Sequence, residues 1–122
     1  RWNQLVSPTN LIFTAICCAS DGFTYACGQA GLLIKGRHNS WQTIDTAGIG
    51  TDFWGLACLN DRIFVTGSRQ LFELRGDNLT EVKEATSLTN SFYSLSTNGR
   101  ILWSIGPKAI LSFDGKQWDK IV

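Results

Sequence analysis

The feature that most constrains the fold is an internal repeat of about 39 residues. One series of landmarks consists of large apolar residues, each followed three positions later by an aliphatic residue (Leu5, Ile44, Val82 or Ile121): Trp2, Trp41, Leu79 and Trp118. A second series consists of glycines that close short apolar stretches: Gly28, Gly67 and Gly106. Two series of landmarks with the same spacing predict a chain built from copies of a single structural unit.

The sequence pattern within each repeat predicts four short strands joined by polar turns. The third strands alternate, with Leu32 and Ile34 on one face and Leu33 on the other, which is typical of a strand with one drier face. The Asn98-Gly99 pair predicts a type I′ hairpin turn, because both residues tolerate a positive φ. No apolar residues recur with the helical period, so we expect helix content close to nil.

Four-stranded antiparallel units that repeat at about 40 residues are typical of propeller blades. A lone blade cannot cover both of its apolar faces, so neighbouring blades must stack. We therefore predict a single all-β, β-propeller-like repeat domain over residues 1–122. It comprises an orphan outer strand at 1–10 and three four-stranded antiparallel blades at 11–50, 51–90 and 91–122.

Three blades are too few for a closed propeller, which has four or more. The chain is then either a fragment of a larger propeller or is completed by self-association, most simply as a two-fold dimer. A third alternative is that the N-terminal strand pairs with a different protein through an exposed edge.

The segment Ser112-Phe113-Asp114-Gly115-Lys116-Gln117-Trp118 resembles the Asp-box of bacterial-neuraminidase-repeat propellers, Ser-x-Asp-x-Gly-x-Thr-Trp, with one residue lost between Asp and Gly. The blades are also similar to those of photosystem II assembly factors. In these families the box is a structural hairpin turn remote from any catalytic centre. Residues 35–41 lack the Asp and residues 74–79 lack the Trp. The resemblance implies a propeller with a binding or assembly role, as in assembly-factor and phage-tail propellers.

Composition and charge limit the classes of partner that the chain is expected to bind. The chain is 43% hydrophobic and 17% charged, which predicts a folded core, and its net charge of +1 is spread along the sequence. We therefore expect no nucleic-acid partner. No apolar run reaches the roughly 20 residues that span a bilayer, so we expect no membrane span. A soluble chain, intracellular or virion-associated, is the expected setting.

The four cysteines, Cys17, Cys18, Cys27 and Cys58, show no Cys-x-x-Cys spacing, and His38 is the one histidine. We expect no metal site and no cofactor. Buried reduced thiols are favoured over a disulfide, which would join Cys17 or Cys18 to Cys27.

Catalytic patterns are weak. A sialidase would need an arginine cluster, a Tyr nucleophile and paired acids. Residues of these types do occur near the predicted hairpins: Arg62, Arg69, Arg100, Tyr25, Tyr93, Asp61 and Glu73. These positions follow predicted turns, so we interpret them as solvated turn residues. No nucleophile elbow is present. We predict no catalytic residue and a non-enzyme, with a glycosidase-related propeller as the third alternative.

Aromatic residues that the pattern does not force into the core are the better functional signal: Trp54, Tyr93 and Trp103. Together with the loop cations Arg69 and Lys108 they are the predicted binding residues, because aromatics and cations anchor partners. We predict a non-catalytic module for protein binding or macromolecular assembly, such as a phage or virion component. The alternative is a carbohydrate-binding lectin with a glycan ligand. The loops differ in chemistry between repeats, which favours the protein partner.

Overall fold

A computed structural model describes residues 10–122, so Trp2 and nearly all of the predicted outer strand lie outside the described residues. The elements, in chain order, are β1 Phe13–Cys18, β2 Thr24–Gly28, β3 Leu33–Arg37, β4 Ser40–Thr43, β5 Gly55–Leu59, β6 Arg62–Thr66, β7 Leu71–Arg75, β8 Asn78–Glu81, α1 Lys83–Thr86, β9 Ser94–Thr97, β10 Leu102–Ile105, β11 Ile110–Phe113 and β12 Trp118–Lys120. A single 3-10 turn, Gln29–Gly31, follows β2. Within residues 10–122 the helical content is therefore confined to two short turns.

The strands form three four-stranded antiparallel sheets, β1–β4, β5–β8 and β9–β12, each ordered as in the sequence. This confirms the predicted fold class. The register places one landmark at the same position of each outer strand: Trp41 pairs with Gly36, Leu79 with Leu74, and Trp118 with Phe113. The repeat in the sequence is therefore a repeat in strand pairing.

Two apolar cores lie between consecutive sheets. We call the face of a sheet that points toward the preceding sheet its front face, and the opposite one its back face. The back face of the first sheet, with Cys27 and Leu33, packs on the front face of the second, with Leu56 and Val65. The back face of the second sheet, including Phe64, packs in the same way on the third.

The prediction of one drier face per strand is wrong for the first two sheets. Leu33 is fully buried, and Ile34 on the opposite face is 4% exposed. In the second sheet Glu73 and its neighbour Phe72 are both buried, on opposite faces. The second sheet is stacked between the other two and is buried on both sides, so alternation there separates two cores instead of separating core from water. In the first sheet, Ile34 is buried in a separate small cluster with Ala26, Leu32 and Trp41.

Two of the three repeated glycines, Gly28 and Gly106, lie where two backbone segments meet. A side chain at Gly28 would collide with the backbone of Ile12, and one at Gly106 with the backbone of Ser91. Neither glycine has a positive φ. Lack of a side chain, and not backbone freedom, is the property required there.

The hairpin turns differ from the predicted type. Asn98 does not have a positive φ, although Gly99 does, and the Asn98 side chain instead accepts hydrogen bonds from the N–H groups of Arg100 and Ile101. In the turn between β5 and β6, by contrast, both Asn60 and Asp61 have a positive φ, at 51° and 63°. Asn98 makes the local side-chain bond that competes with the left-handed conformation.

The three sheets form an open array. Strand β1 contacts β5, and β5 contacts β9, so the first strands of the sheets lie side by side as in consecutive propeller blades. Residues 10–122 show no closed ring. The four cysteines are free.

Candidate protein-binding site

The candidate site is built around two aromatic rings at the boundary between the second and third sheets. Trp54 precedes β5 and Tyr93 precedes β9. Their ring centroids are 5.5 Å apart with the planes inclined at 31°. Tyr93 is 51% exposed, and Trp54 is half-buried. An exposed aromatic packed on a second aromatic is a stiff apolar contact surface.

Two cations complete this site. Arg69 lies in the loop between β6 and β7, and Lys108 in the loop between β10 and β11. Both line the same groove as Trp54 and Tyr93, which has a volume of about 550 Å³ and also contains Ser68 and Asn90. No acidic residue lines the groove, and within the described range neither cation belongs to an ion pair. We call this groove the aromatic–cationic groove.

Hydrogen bonds within and between the second and third repeat units fix the groove. The buried Thr66 hydroxyl donates to the Tyr93 carbonyl oxygen at 2.6 Å, and the Trp54 N–H donates to the Thr66 carbonyl oxygen at 2.8 Å. The Phe92 N–H donates to the Ser68 carbonyl oxygen. The Lys108 N–H donates to the Ser91 hydroxyl at 2.8 Å. Backbone on all four sides is therefore held before any partner arrives, which lowers the entropy cost of binding.

The structure thus brings together four of the five predicted binding residues. The fifth, Trp103, lies in β10 on the back face of the third sheet, away from the groove. Ser68, Asn90 and Pro107 also line the groove and were not predicted. For two of them the signal in the sequence was positional, since Ser68 and Pro107 each directly follow a repeated glycine, Gly67 and Gly106.

A second polar cluster corrects one interpretation from the sequence. Arg62 and Glu73 are not solvated turn residues: they form an ion pair between strands β6 and β7, and Glu73 is 5% exposed. The hydrogen bonds from Arg62 lower the pKa of Glu73, and the same bonds raise the pKa of Arg62. Arg75 adds a second contact to Glu73 at 3.3 Å. A carboxylate held ionised by two arginines is suited to structure and not to proton transfer.

Other groups offer little chemistry. Residues 10–122 contain no group of three or more His, Cys, Asp or Glu side chains arranged to hold a metal ion. His38 is exposed in the turn between β3 and β4. Within the same range, no helix is long and apolar enough to cross a bilayer.

Fold and site together define an all-β repeat chain with a preformed surface groove. Compared with known proteins, the chain is similar to the immune protein Tsi7 of Pseudomonas aeruginosa, with 44% identity over 121 residues. The similarity covers 99% of this chain but 40% of that protein, so the chain spans about two fifths of the length of its relative. No family model and no solved structure matches the chain.

Proposed function

We propose that the chain is a non-catalytic protein-binding module with an immune role: it binds a toxin protein and so blocks its action. The observation that carries this proposal is the 44% identity to an immune protein along nearly the whole chain. Such a role requires a surface for one protein partner and no reaction of its own.

We place the partner on the aromatic–cationic groove. Tyr93 is exposed yet rigidly supported by Trp54, and Tyr, Trp and Arg are the residues that most often dominate binding energy at protein interfaces. Arg69 and Lys108 carry positive charge without an intramolecular partner. The partner segment that fits is therefore acidic, with an apolar side chain that covers Tyr93.

The resemblance to Asp-box propellers is kept as part of the proposal. It is supported by Asp114, whose carboxylate accepts the N–H groups of Gln117 and Lys116 at 2.8 Å each, as an Asp that closes a hairpin turn would. Both bonds lower the pKa of Asp114, and the bond from Gln117 has the larger effect. We propose that the three sheets are blades of a propeller-like array in which this turn is structural.

In the first step of the experiment, the tagged chain is immobilised and used to capture binding proteins from a lysate of the cells whose genome encodes it. The captured protein is identified, purified and titrated against the chain by calorimetry. Tyr93→Ala and the pair Arg69→Glu with Lys108→Glu should each weaken binding by roughly 2 kcal/mol or more, which is about 30-fold. The matched control, Arg100→Glu with Lys120→Glu, changes the same charges on exposed residues outside the groove and should bind normally.

Protection is measured separately. Cells that express the captured protein alone should stop growing, and co-expression of the chain should restore growth, whereas the groove variants should not. Failure of the wild-type chain to bind or protect would contradict the immune role. Equal protection by groove variants and control would move the partner to another surface.

A glycan ligand is the second candidate, favoured by the contact between the exposed Tyr93 ring and the half-buried Trp54 ring, since aromatic rings also bind sugar faces. Tryptophan fluorescence titrations against a panel of simple sugars test it. Saturable quenching that is lost in Tyr93→Ala would favour a lectin over a protein-binding module.

A further inference from the structure

The aromatic and cationic residues of the aromatic–cationic groove are two copies of one pair. By residue number, Trp54 and Tyr93 are 39 positions apart, and so are Arg69 and Lys108. The second repeat unit contributes Trp54 with Arg69, and the third contributes Tyr93 with Lys108. The groove therefore consists of two equivalent subsites, each with one ring and one cation.

Strand pairing places the two aromatic residues at the same point of their sheets. Trp54 directly precedes β5, and Tyr93 directly precedes β9. The first residue of each of these strands pairs with the last residue of the following strand, which is Thr66 in the second sheet and Ile105 in the third. Because the ring centroids lie 5.5 Å apart, the two subsites adjoin and form one continuous surface.

The two cations lie in loops of the same build. The Gly67 N–H donates to the carbonyl oxygen three positions further on, at 2.9 Å, and the Gly106 N–H does the same at the same distance. Arg69 and Lys108 are each the second residue after this glycine, and both side chains are exposed. The fold therefore presents a cation at one repeated position of two successive sheets.

The first repeat unit lacks this pair. Thr14 takes the place of the aromatic residue, because the next residue pairs with Cys27, the counterpart of Thr66. Cys27 and Thr66 are counterparts since each pairs with the first residue of its third strand. The following loop is one residue longer, with the Gly28 N–H donating four positions on, and it contains no cation. The two subsites are thus specific to the second and third units.

We infer that the groove is a tandem site for one segment of the protein partner that carries two acidic side chains, one bound by Arg69 and the other by Lys108. This inference rests on the proposed function. No acidic residue of the described chain lines the groove, so both negative charges come from the partner. The segment runs from the second sheet to the third and covers the rings of Trp54 and Tyr93.

The spacing of the sheets favours two carboxylates over one. Sheets that pack face to face lie about 10 Å apart, so loops that repeat from sheet to sheet present their cations at about that spacing. A single carboxylate could bind both Arg69 and Lys108 only by drawing the two positive charges together, which their mutual repulsion opposes. Two carboxylates on one side of the segment neutralise each cation where it lies.

The first test uses an array of synthetic peptides that have a Gly/Ser background, one leucine and two aspartates at varied spacing. Peptides with adjacent aspartates carry the same charge and are the control. The chain should bind the best spaced-aspartate peptides about threefold or more tighter than this control, which is the size expected for one additional exposed ion pair. Arg69→Gln and Lys108→Gln should each remove the preference, whereas Arg100→Gln and Lys120→Gln, outside the groove, should keep it.

The second test uses the toxin protein captured with the chain. Its Asp and Glu residues are changed one at a time to Asn and Gln, and each change is combined with Arg69→Gln and with Lys108→Gln in double-mutant cycles. We expect two different acidic residues, one coupled to Arg69 and the other to Lys108, each by about threefold in the dissociation constant.

The outcomes separate the tandem site from the immune role. Spaced-aspartate peptides that bind no better than the control would overturn the tandem site, and so would coupling of both cations to one acidic residue of the toxin. Either result leaves the immune role intact. Selective binding of spaced-aspartate peptides by a chain that captures no toxin would support the tandem site and contradict the immune role.

Discussion

Arg62 and Glu73 form a bidentate ion pair at the boundary between the second and third sheets. The guanidinium donates to both carboxylate oxygens, at 2.8 and 3.0 Å, and to the Gly115 carbonyl oxygen at 3.2 Å. It also lies over the rings of Phe64 and Phe113, at 5.4 and 5.1 Å from their centroids. One side chain therefore joins two sheets by charge, hydrogen bonds and aromatic contact.

Glu73→Gln should lower the free energy of unfolding by about 1–3 kcal/mol, because Arg62 and Arg75 lose the carboxylate that neutralises them. Glu84→Gln, at an exposed position of α1, is the control and should change stability by less than about 0.5 kcal/mol. Urea unfolding followed by tryptophan fluorescence measures both. Equal effects would contradict a structural role for the pair.

The same carboxylate predicts a dependence on pH. The pKa of Glu73 is lowered from its ordinary value of 4.5 when the chain is folded, so the stabilisation is complete well above pH 4.5 and is lost as the pH falls below it. The wild-type chain should lose stability more steeply on acidification than Glu73→Gln. Parallel curves below pH 4.5 would show that Glu73 is not responsible.

Thiol reactivity should separate the exposed Cys18 from the partly buried Cys17 and the buried Cys27. Burial raises the pKa of Cys17 to about 12 and that of Cys27 to about 11, so neither is appreciably ionised near pH 8. Cys18 is exposed and should react first with a thiol reagent. Cys18→Ser should abolish the fast phase, and denaturant should release the slow thiols. Rapid modification of Cys17 in the folded chain would contradict its burial.

Gly28→Ala should destabilise the chain by roughly 1–3 kcal/mol, since the added methyl group would collide with the backbone of Ile12. Gly50→Ala is the control, because a side chain there has open space and the residue has no positive φ. Thermal unfolding compares the two variants. A tolerated Gly28→Ala would show that the two segments separate easily.

Thr66→Val should weaken both the stability of the fold and partner binding at the aromatic–cationic groove. The substitution keeps the shape but removes the hydroxyl that donates to the Tyr93 carbonyl oxygen, which we expect to cost about 1–2 kcal/mol of stability. Partner binding should also weaken, because the Tyr93 backbone loses this hydrogen bond.

Ser104→Ala is the contrasting change. This buried hydroxyl has no hydrogen-bond partner within residues 10–122, so its removal should be neutral or stabilising in the same unfolding assay.

Much of the fold was predictable because the repeat fixes strand pairing. The positions of Trp41, Leu79 and Trp118 in the sequence correspond to one place in three sheets, as their common pairing shows. What alternation could not reveal was that both faces of a strand are buried. Leu33 and Ile34 look like inside and outside residues, but Leu33 packs on the second sheet and Ile34 is buried in a separate small cluster with Ala26, Leu32 and Trp41.

The residue types that line the groove were predictable from the sequence, but their proximity in space was not. Trp54 and Tyr93 are 39 positions apart, and their ring contact arises only when the second sheet packs on the third. The pairing of Arg62 with Glu73 escaped detection for the related reason that turn-adjacent charges are usually solvated. Their burial depends on β11 and β12, about 50 residues further along.

The second sheet has a neighbour on each of its faces, whereas the first and third sheets each have one within the described chain. Every boundary in the array is the same kind of contact. The chain can therefore gain or lose a terminal unit without rebuilding its centre, which makes gene duplication a simple route to longer or shorter versions of this architecture.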